Sequence, residues 1–349
     1  MNLRIQEPQT PRTTEQAAPV GGLAAVTTSA PRSPIRAFLQ SRGGSGLADA
    51  TFRWIMLLCA LSIFGIVALI ATELVSSSKL TLTKFGMKFF FGSAWDPVNS
   101  NFGALPFIYG TIVSSMVALV IAVPLAVGVA VFLTEMCPKA LRGILSFLTE
   151  LLAAIPSVVY GLWAIFVLVP LLRTYVNPVL IKTLGWTGLF VAPDFGIGMF
   201  AAGVILAIMI LPIISSLTRE VMTAVPDMQR EAVLALGATR WEMIRMGVLR
   251  NARIGIVGSI ILGLGRALGE TMAVAMVIGS SPTISKSLLA PAATMASVIA
   301  NEFAEASDDT YRSALIEIGL ALFLVTIVVN MFARLLVWAV TRGTPARVT

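Results

Sequence analysis

The sequence contains no histidine, only two cysteines and no Gly-Lys dipeptide. Without histidine, Ser-His-Asp and Cys-His catalysis and histidine-ligated metal sites are excluded, and we expect neither a catalytic nor a metal site. Cys59 lies in an apolar run and Cys137 in a loop, so the pair forms neither a CxxC motif nor a disulfide framework. The missing Gly-Lys dipeptide excludes a Walker A loop, so this chain has no ATP site of that kind.

Charged residues are also scarce. They make up 12% of the chain, hydrophobic residues make up 57%, and the mean hydropathy is +0.88. A soluble domain has roughly 25% charged residues, so the composition indicates an integral membrane protein surrounded by lipid. The net charge of +7 does not indicate nucleic acid, because the basic residues lie in short segments between apolar runs, as in cytoplasmic loops.

Six apolar runs reach the roughly 20 residues that a membrane-spanning helix needs. They are residues 54–74, 111–133, 147–172, 200–217, 254–279 and 314–340. Lys and Arg concentrate in the segments on the same side as the N-terminus, which predicts that both termini are cytoplasmic. We expect an all-α, multi-pass protein with six transmembrane helices.

The segments outside these runs differ in character. Residues 1–53 are rich in Pro, Thr, Gly and Ala and predict a mostly disordered cytoplasmic tail, and residues 341–349 predict a second tail. Residues 54–110 hold the first span and a long periplasmic loop, which we expect to be ordered or to dock a soluble partner. The apolar run 287–300 is too short to cross and predicts a helix at the outer surface.

Prolines and glycines interrupt several runs. Pro124, Pro156, Pro170 and Pro212 lie inside them, and Gly265 begins a GxxxG spacing in the fifth. The glycines predict close approach of helix backbones, and the prolines predict helices that bend.

Between the fourth and fifth runs, VPDMQREAVLALGATRWEMIRMGVLR (residues 225–250) predicts two short amphipathic helices. Asp227 is the expected N-cap of the first helix, and Gly237 its left-handed stop. Thr239 and Glu242 form a T-x-x-E capping box at the start of the second. Such a pair either rests on lipid headgroups or docks into a groove of another protein.

The fifth run contains LGRALGETMAV (residues 264–274), which places Arg266 and Glu270 inside the membrane. At i,i+4 on one helix the two can form an ion pair, and both should face the bundle interior or a water-filled cavity. Three interpretations remain open: an ion pair that fixes packing, an anion path in which Arg266 receives an oxyanion and Glu270 holds Arg266 while the path is empty, and a proton relay. The relay is disfavoured because we expect no other carboxylate within the membrane. Glu150, near the end of the third run, is expected to have an interfacial or inter-helix role.

EAVLALG (residues 231–237) resembles the EAA loop of ABC-transporter permeases, which has Glu-Ala-Ala, then Gly, then Ile-x-Leu-Pro. Val233 replaces the second alanine here, and Gly247 and Arg250 stand for the isoleucine and the proline. The resemblance implies a coupling helix that docks into a cleft of an ATPase subunit. The docking residues that it implies are Glu231, Ala232 and Gly237.

Three further segments, together with LGRALGETMAV, are similar to the PstC-type permeases of bacterial phosphate-specific ABC transporters. They are WDPVNSNFGALP (95–106), ELLAAIPSVVYGLW (150–163) and IANEFAEA (299–306). The resemblance implies a type I ABC importer permease core over residues 111–340 with a coupling loop at 226–250, and phosphate import by alternating access.

The resemblance also implies the partners, which are a second permease subunit of PstA type, a dimer of ATPase subunits and a periplasmic phosphate-binding protein. The chain would be a transporter subunit of the inner membrane and not an enzyme, with no cofactor of its own, because ATP and Mg bind to the ATPase. The alternatives are a permease for sulfate or molybdate, or a self-contained secondary anion transporter.

Overall fold

The computed structural model describes residues 45–341, and most of these are helical. The α-helices in chain order are α1 Ser45–Ser77, α2 Lys79–Phe85, α3 Lys88–Phe91, α4 Leu105–Val131, α5 Lys139–Ala154, α6 Ser157–Trp163, α7 Val169–Leu171, α8 Asn177–Leu184, α9 Met199–Thr223, α10 Asp227–Ala235, α11 Arg240–Glu242, α12 Arg250–Leu268, α13 Met272–Ile278, α14 Met295–Glu302 and α15 Asp309–Thr341. Turns of π-helix adjoin them at Phe132–Met136, Ala164–Leu168, Leu172–Val176 and Met243–Leu249, and a 3₁₀ turn at Gly185–Thr187. The predicted tails lie largely outside the described residues, but α1 begins at Ser45, so the end of the predicted N-terminal tail is helical.

Six helical stretches are long and apolar enough to cross a membrane, which confirms the predicted number of spans. They are Asp49–Ser77, Leu105–Met136, Ser157–Thr187, Met199–Thr223, Arg240–Leu268 and Asp309–Leu335. A two-residue antiparallel pair, β1 Trp95–Asp96 and β2 Asn101–Phe102, is the exception to the all-α prediction in the described range.

The third span begins later than predicted, because Pro156 divides the run 147–172. Proline lacks the N–H that would continue α5 and disfavours the helical conformation in the residue before it. Ile155 accordingly has a ψ of 130°, and a new helix starts at Ser157. Glu150 therefore belongs to α5, a separate helix that precedes the span. By contrast, Pro124 and Pro212 lie inside α4 and α9 without ending them.

The fifth span is continuous with the loop before it and ends before Glu270. Helix α11, the π-helical turn Met243–Leu249 and α12 form one stretch from Arg240 to Leu268, so the predicted second short helix is in fact the beginning of the span. The chain then leaves the helix at residues 269–271 and enters α13. The prediction of one helix over 254–279 is wrong at both ends.

Helix α9 forms the centre of the bundle, since 61% of its most apolar window is buried, against 28% or less for the other five spans. Helix α12 approaches α9 closely at two glycines. A Cβ on Gly255 would lie 2.4 Å from the Val221 side chain, and one on Gly263 would lie 2.7 Å from the Ile214 side chain. These two glycines are therefore needed for the contact between the fourth and fifth spans.

The segment between α1 and α4 is ordered, as predicted, and is held by an aromatic cluster. The Trp95 ring packs edge-on against Phe102, and Phe102 stacks on Tyr311 at 5.5 Å between ring centroids. Glu302 in α14 accepts hydrogen bonds from Trp95 Nε1 at 2.9 Å and from the Tyr311 hydroxyl at 2.6 Å. The first residues of α14 are buried, so the short apolar run is packed inside the fold and does not form a surface helix as predicted.

Candidate functional site

Arg266 lies in the last turn of α12 and is exposed on this chain. It continues a line of residues at four-residue spacing, Ile254, Gly258 and Leu262, which share one helix face. We call these four residues the α12 stripe; Ile254 is 51% exposed and Leu262 61%. A Cβ on the neighbouring Gly265 would meet no atom within 4 Å, so the close packing predicted at the GxxxG spacing is not formed within this chain.

Glu270 is buried in the break that follows α12, with 8% of its surface exposed. Its Oε1 accepts a hydrogen bond from the backbone N–H of Ala273 at 3.4 Å, at the start of α13. Helix α13 lies against α6, where a Cβ on Gly161 would be 3.0 Å from Ala273 Cα. The Glu270 carboxylate is therefore placed where the chain turns between two helices.

Arg266 and Glu270 form no ion pair in the part of the chain that the structure describes. The predicted pair is wrong because α12 ends at Leu268, so the two residues are not one turn apart on the same helix. This removes the interpretation in which the pair fixes helix packing, and the described arrangement does not show Glu270 holding Arg266, as the anion path predicted. The anion path and the proton relay stay open.

The loop before the fifth span forms two helices that meet at Gly237. This glycine has a φ of +82°, and its N–H donates to the carbonyl of Leu234 at 2.9 Å, which ends α10 as predicted. The Thr239 hydroxyl accepts from the N–H of Glu242, and the Glu242 carboxylate accepts from the N–H of Thr239, which confirms the capping box. We call residues 227–242 the knob.

The knob exposes large apolar side chains. Met228 is 77% exposed, Leu236 89% and Trp241 62%. Exposed apolar side chains of this kind are consistent with both alternatives from the sequence, contact with lipid headgroups and docking into a groove of another protein. The three docking residues implied by the sequence resemblance are also exposed: Glu231, Ala232 and Gly237.

Gly247 lies where α10 packs against the π-helical turn Met243–Leu249. A Cβ there would be 3.4 Å from the carbonyl oxygen of Gln229 and 3.5 Å from the Val233 side chain. The Asn251 side chain, one helical turn further on, donates to Gln229 Oε1 at 2.6 Å. The small residue at 247, which departs from the EAA pattern, thus lets the first knob helix lie close to the start of the fifth span.

Arg230 connects the knob to two spans and has one of the most extensive sets of contacts in the loop. Its Nη2 donates to Glu135 Oε1 at 3.1 Å and to the carbonyl of Met222 at 2.9 Å. Its Nη1 donates to the carbonyl of Val225 and to Asp227 Oδ1. Asp227 is thus the partner of Arg230 and not the predicted N-cap, a position that Pro226 occupies.

The Arg230–Glu135 ion pair is largely buried, with 15% and 8% of the two side chains exposed. Glu135 lies in the π-helical turn at the end of the second span, and Met222 lies in the last part of α9. The pair could not be predicted from the sequence, because the two residues are far apart in the chain. A buried ion pair keeps its partners together, since removing one leaves the other charge uncompensated.

Glu150 has the inter-helix role that was predicted for it. Its Oε1 accepts a hydrogen bond from Arg219 Nη2 at 2.9 Å, which joins α5 to α9. The Glu150 side chain is 57% exposed, so the pair is accessible to solvent and contributes modestly to stability.

Glu317 in α15 is a carboxylate that the hydropathy of the sixth run did not indicate. It is fully buried, and it lies inside the sixth span Asp309–Leu335. The statement that the membrane contains no carboxylate besides Glu270 is therefore wrong. The signal was present in the sequence, since Glu317 interrupts the apolar run 314–340.

The chain matches the family model described as binding-protein-dependent transport system inner membrane component over residues 122–342. It is similar to the phosphate transport system permease protein PstC of Mesorhizobium japonicum, with 45% identity over 86% of this chain and 93% of that protein. The proteins of the same name from Haemophilus influenzae and Xylella fastidiosa are 45% and 46% identical, over 83% and 86% of this chain and 93% and 95% of theirs.

Among solved structures, the fold is similar to a chain of a bacterial ABC transporter involved in the import of the acidic polysaccharide alginate. The TM-score is 0.54 at 17% identity, covering 85% of this chain and 98% of the other. At this identity the likeness concerns the fold alone.

Proposed function

Because the chain belongs to the family of binding-protein-dependent transport system inner membrane components, we propose that it is the permease subunit of an ATP-driven importer of inorganic phosphate. It is a multi-pass membrane protein with the type I permease fold of ABC importers. It is a transporter subunit and not an enzyme, and ATP is hydrolysed by a separate chain. The relatives named as phosphate transport permeases support phosphate as the substrate.

The observation that carries this function is Arg266, exposed on the otherwise apolar α12 stripe inside a span. A charge facing lipid within a span is unfavourable, and the cost on insertion scales reaches about 2.5–3.5 kcal/mol at the centre of the bilayer. A second permease subunit against the stripe removes that cost if Arg266 then faces a water-filled path between the two subunits. Guanidinium suits phosphate there, because it binds two oxygens at once and keeps its charge at all working pH values.

Glu270 affects the same path through the backbone. Its hydrogen bond to the N–H of Ala273 fixes the break between α12 and α13. No carboxylate of the described residues pairs with the Arg266 side chain, which is therefore available to the anion. The site binds phosphate weakly, because a ligand that favours one state strongly would stop the alternation between outward-open and inward-open arrangements.

The knob is the surface through which ATP drives these arrangements. Glu231, Ala232 and Gly237, together with the exposed apolar side chains beside them, dock into a cleft of an ATPase subunit. Arg230 transmits the displacement, because it bonds both to Glu135 at the end of the second span and to the end of α9.

The complete importer contains partners that this chain does not supply. They are a second permease subunit of PstA type, two ATPase subunits, which bind ATP and Mg, and a periplasmic phosphate-binding protein. This chain carries no cofactor. Both of its termini lie in the cytoplasm, which puts the knob on the ATPase side and the aromatic cluster around Trp95 on the side of the binding protein.

Replacing Gly237 with alanine is expected to weaken coupling, measured as phosphate transported per ATP hydrolysed in the reconstituted importer. A residue with a Cβ costs about 1–2 kcal/mol in the left-handed region that Gly237 occupies. The knob then populates its docking shape less, and coupling falls roughly 5- to 30-fold. Asparagine, which tolerates this conformation, should retain most of the coupling.

Gly143→Ala provides the matched control. Gly143 is helical in α5 and has open space around it, so a methyl group there should leave coupling unchanged. Wild-type coupling in Gly237→Ala would show that the shape of the knob does not matter for docking.

The function itself is tested by ATP-dependent uptake of labelled phosphate and labelled sulfate into vesicles that hold this chain with its neighbouring permease and ATPase, with the periplasmic binding protein added on the substrate side. We expect phosphate uptake that requires ATP and all four proteins. Faster uptake of sulfate than of phosphate would mean that the substrate is an oxyanion other than phosphate. Uptake by this chain alone in a proton gradient would make it a secondary transporter.

A further inference from the structure

Glu317 is a carboxyl group enclosed in the last span without a partner. Its exposed fraction is 0%, and neither Oε1 nor Oε2 has a hydrogen-bond partner among the described residues. On the same helix, Ala314, Ile318 and Ala321 are buried in an apolar cluster. Glu317 lies eight residues beyond Asp309, about 12 Å along α15, so it is well inside the span.

Other ionisable groups lie on the helices around α15 but do not reach Glu317. Helix α15 packs against α2, α4, α12 and α14, and the last turns of α1 also contact it, because the Ser313 hydroxyl donates to the carbonyl of Ser77 and a Cβ on Gly319 would lie 3.6 Å from the Leu74 side chain. The ionisable residues of these helices near α15 are Glu73, Lys79, Lys84, Tyr109, Arg250, Arg253, Arg266 and Glu302, and those of α15 itself nearest to Glu317 are Asp309, Tyr311 and Arg312. Glu73 is exposed and accepts a hydrogen bond from the Ser77 hydroxyl at 3.0 Å. Lys84 donates to the carbonyl of Ser100, and Glu302 accepts from Trp95 and Tyr311, so these two are engaged elsewhere.

The absence of a partner determines the protonation state. An ionised carboxylate that is buried and unpaired loses its hydration without compensation, so the group takes up a proton instead. Even the neutral acid leaves its O–H and its carbonyl oxygen unsatisfied, which is unfavourable in a dry interior. The dry surroundings of Glu317 in the described arrangement are therefore energetically unfavourable for its carboxyl group. An arrangement in which water reaches this group has a lower free energy for it.

We propose that Glu317 is a proton-binding site whose occupancy changes with the conformation of the permease. In the described arrangement the carboxyl group is neutral. When the helices around α15 separate, water enters, and the O–H bond of the acid breaks, which transfers its proton to water and leaves a hydrated carboxylate. Closing the helices returns a proton from water to Glu317. This inference rests on the proposed alternation between two arrangements, but not on the identity of the transported anion.

Infrared difference spectroscopy on the assembled importer in lipid nanodiscs tests the proposal directly. Spectra are compared between the nucleotide-free complex and the complex held with a non-hydrolysable ATP analogue, so that neither sample contains inorganic phosphate. We expect the C=O stretching band of a protonated carboxyl group to be present in one state and lost in the other. Glu317→Gln should remove this band change, whereas Glu305→Gln, at an exposed acid near the same end of α15, should leave it intact.

Transport supplies the second measurement. Glutamine mimics the neutral acid, so Glu317→Gln is expected to assemble normally but to lose at least about tenfold in uptake, because it cannot ionise. If Glu317→Gln does not assemble, Glu317→Asp should shift the frequency of the same band. The proposal would be overturned if the carboxyl C=O stretching band were the same in the nucleotide-free and nucleotide-bound states. Wild-type uptake by an assembled Glu317→Gln complex would also overturn it. A finding that sulfate and not phosphate is the substrate would not overturn it, because the samples for spectroscopy contain neither anion.

Discussion

Replacing Arg230 with methionine is expected to leave ATP hydrolysis running while phosphate uptake falls. The guanidinium joins the knob to Glu135 and to the carbonyl of Met222, so its loss disconnects the docking surface from the second and fourth spans. A coupling free energy between sites is typically about 1–3 kcal/mol, which corresponds to a loss of roughly 5- to 150-fold in phosphate moved per ATP. The measurement is uptake and ATP hydrolysis on the same vesicles.

The same substitution also destabilises the chain, and this effect has to be separated from uncoupling. Removing one member of a buried ion pair costs about 3–5 kcal/mol, because Glu135 remains charged and unpaired. The double variant Arg230→Met with Glu135→Gln removes that charge. It should recover assembly and thermal stability but not coupling.

Arg245→Met is the matched control, since Arg245 is an exposed arginine on the same loop. It should hydrolyse ATP and transport phosphate like the wild type. If the Arg230→Met and Glu135→Gln double variant transports normally per ATP, the pair stabilises the fold and transmits nothing.

Replacing Arg266 with glutamine has the second large expected effect, which is a loss of phosphate uptake of about 100-fold with assembly unchanged. Hydrogen bonds to charged groups contribute about 1.5–3 kcal/mol, and guanidinium offers two of them to one phosphate. Lysine keeps the charge but not the planar fork, so Arg266→Lys should recover uptake only in part. Because Arg266 is exposed on this chain, its replacement creates no cavity.

Arg250→Gln serves as the control at the opposite end of α12, where the arginine is exposed as well. It should retain wild-type uptake. Normal uptake by Arg266→Gln would mean that the charge serves the contact between subunits and not the anion.

Features set by neighbouring residues could be predicted from the sequence. The capping box of Thr239 and Glu242 and the left-handed Gly237 were correct because each depends on a few adjacent positions. The six spans were correct because hydropathy over some 20 residues is also a local quantity. The predicted ends of the spans were wrong where a single residue determines them. Pro156, for example, lies in an apolar run, but its backbone cannot continue the helix.

Contacts between distant segments could not be predicted in this way. The Arg230–Glu135 pair depends on how the loop folds back on the second span, and no spacing in the sequence encodes that. The Arg266–Glu270 pair was predicted on the assumption of a continuous helix, which the break after Leu268 removes. Glu317 was missed for a different reason, because hydropathy averaged over the sixth run conceals one charged residue among many apolar ones.

The continuous helix from Arg240 to Leu268 has a mechanical consequence. It carries Trp241 of the knob at one end and Arg266 near the other, about 37 Å apart at 1.5 Å per residue. The proposed ATPase-docking surface and the arginine that we propose to bind the anion thus lie on one continuous helical stretch. A tilt of only 5° about one end moves the other by about 3 Å on this length, which is comparable to the distance over which a hydrogen bond forms or breaks. In the proposed mechanism, a tilt of this stretch moves Arg266 directly, while Arg230 carries the same displacement to the second and fourth spans.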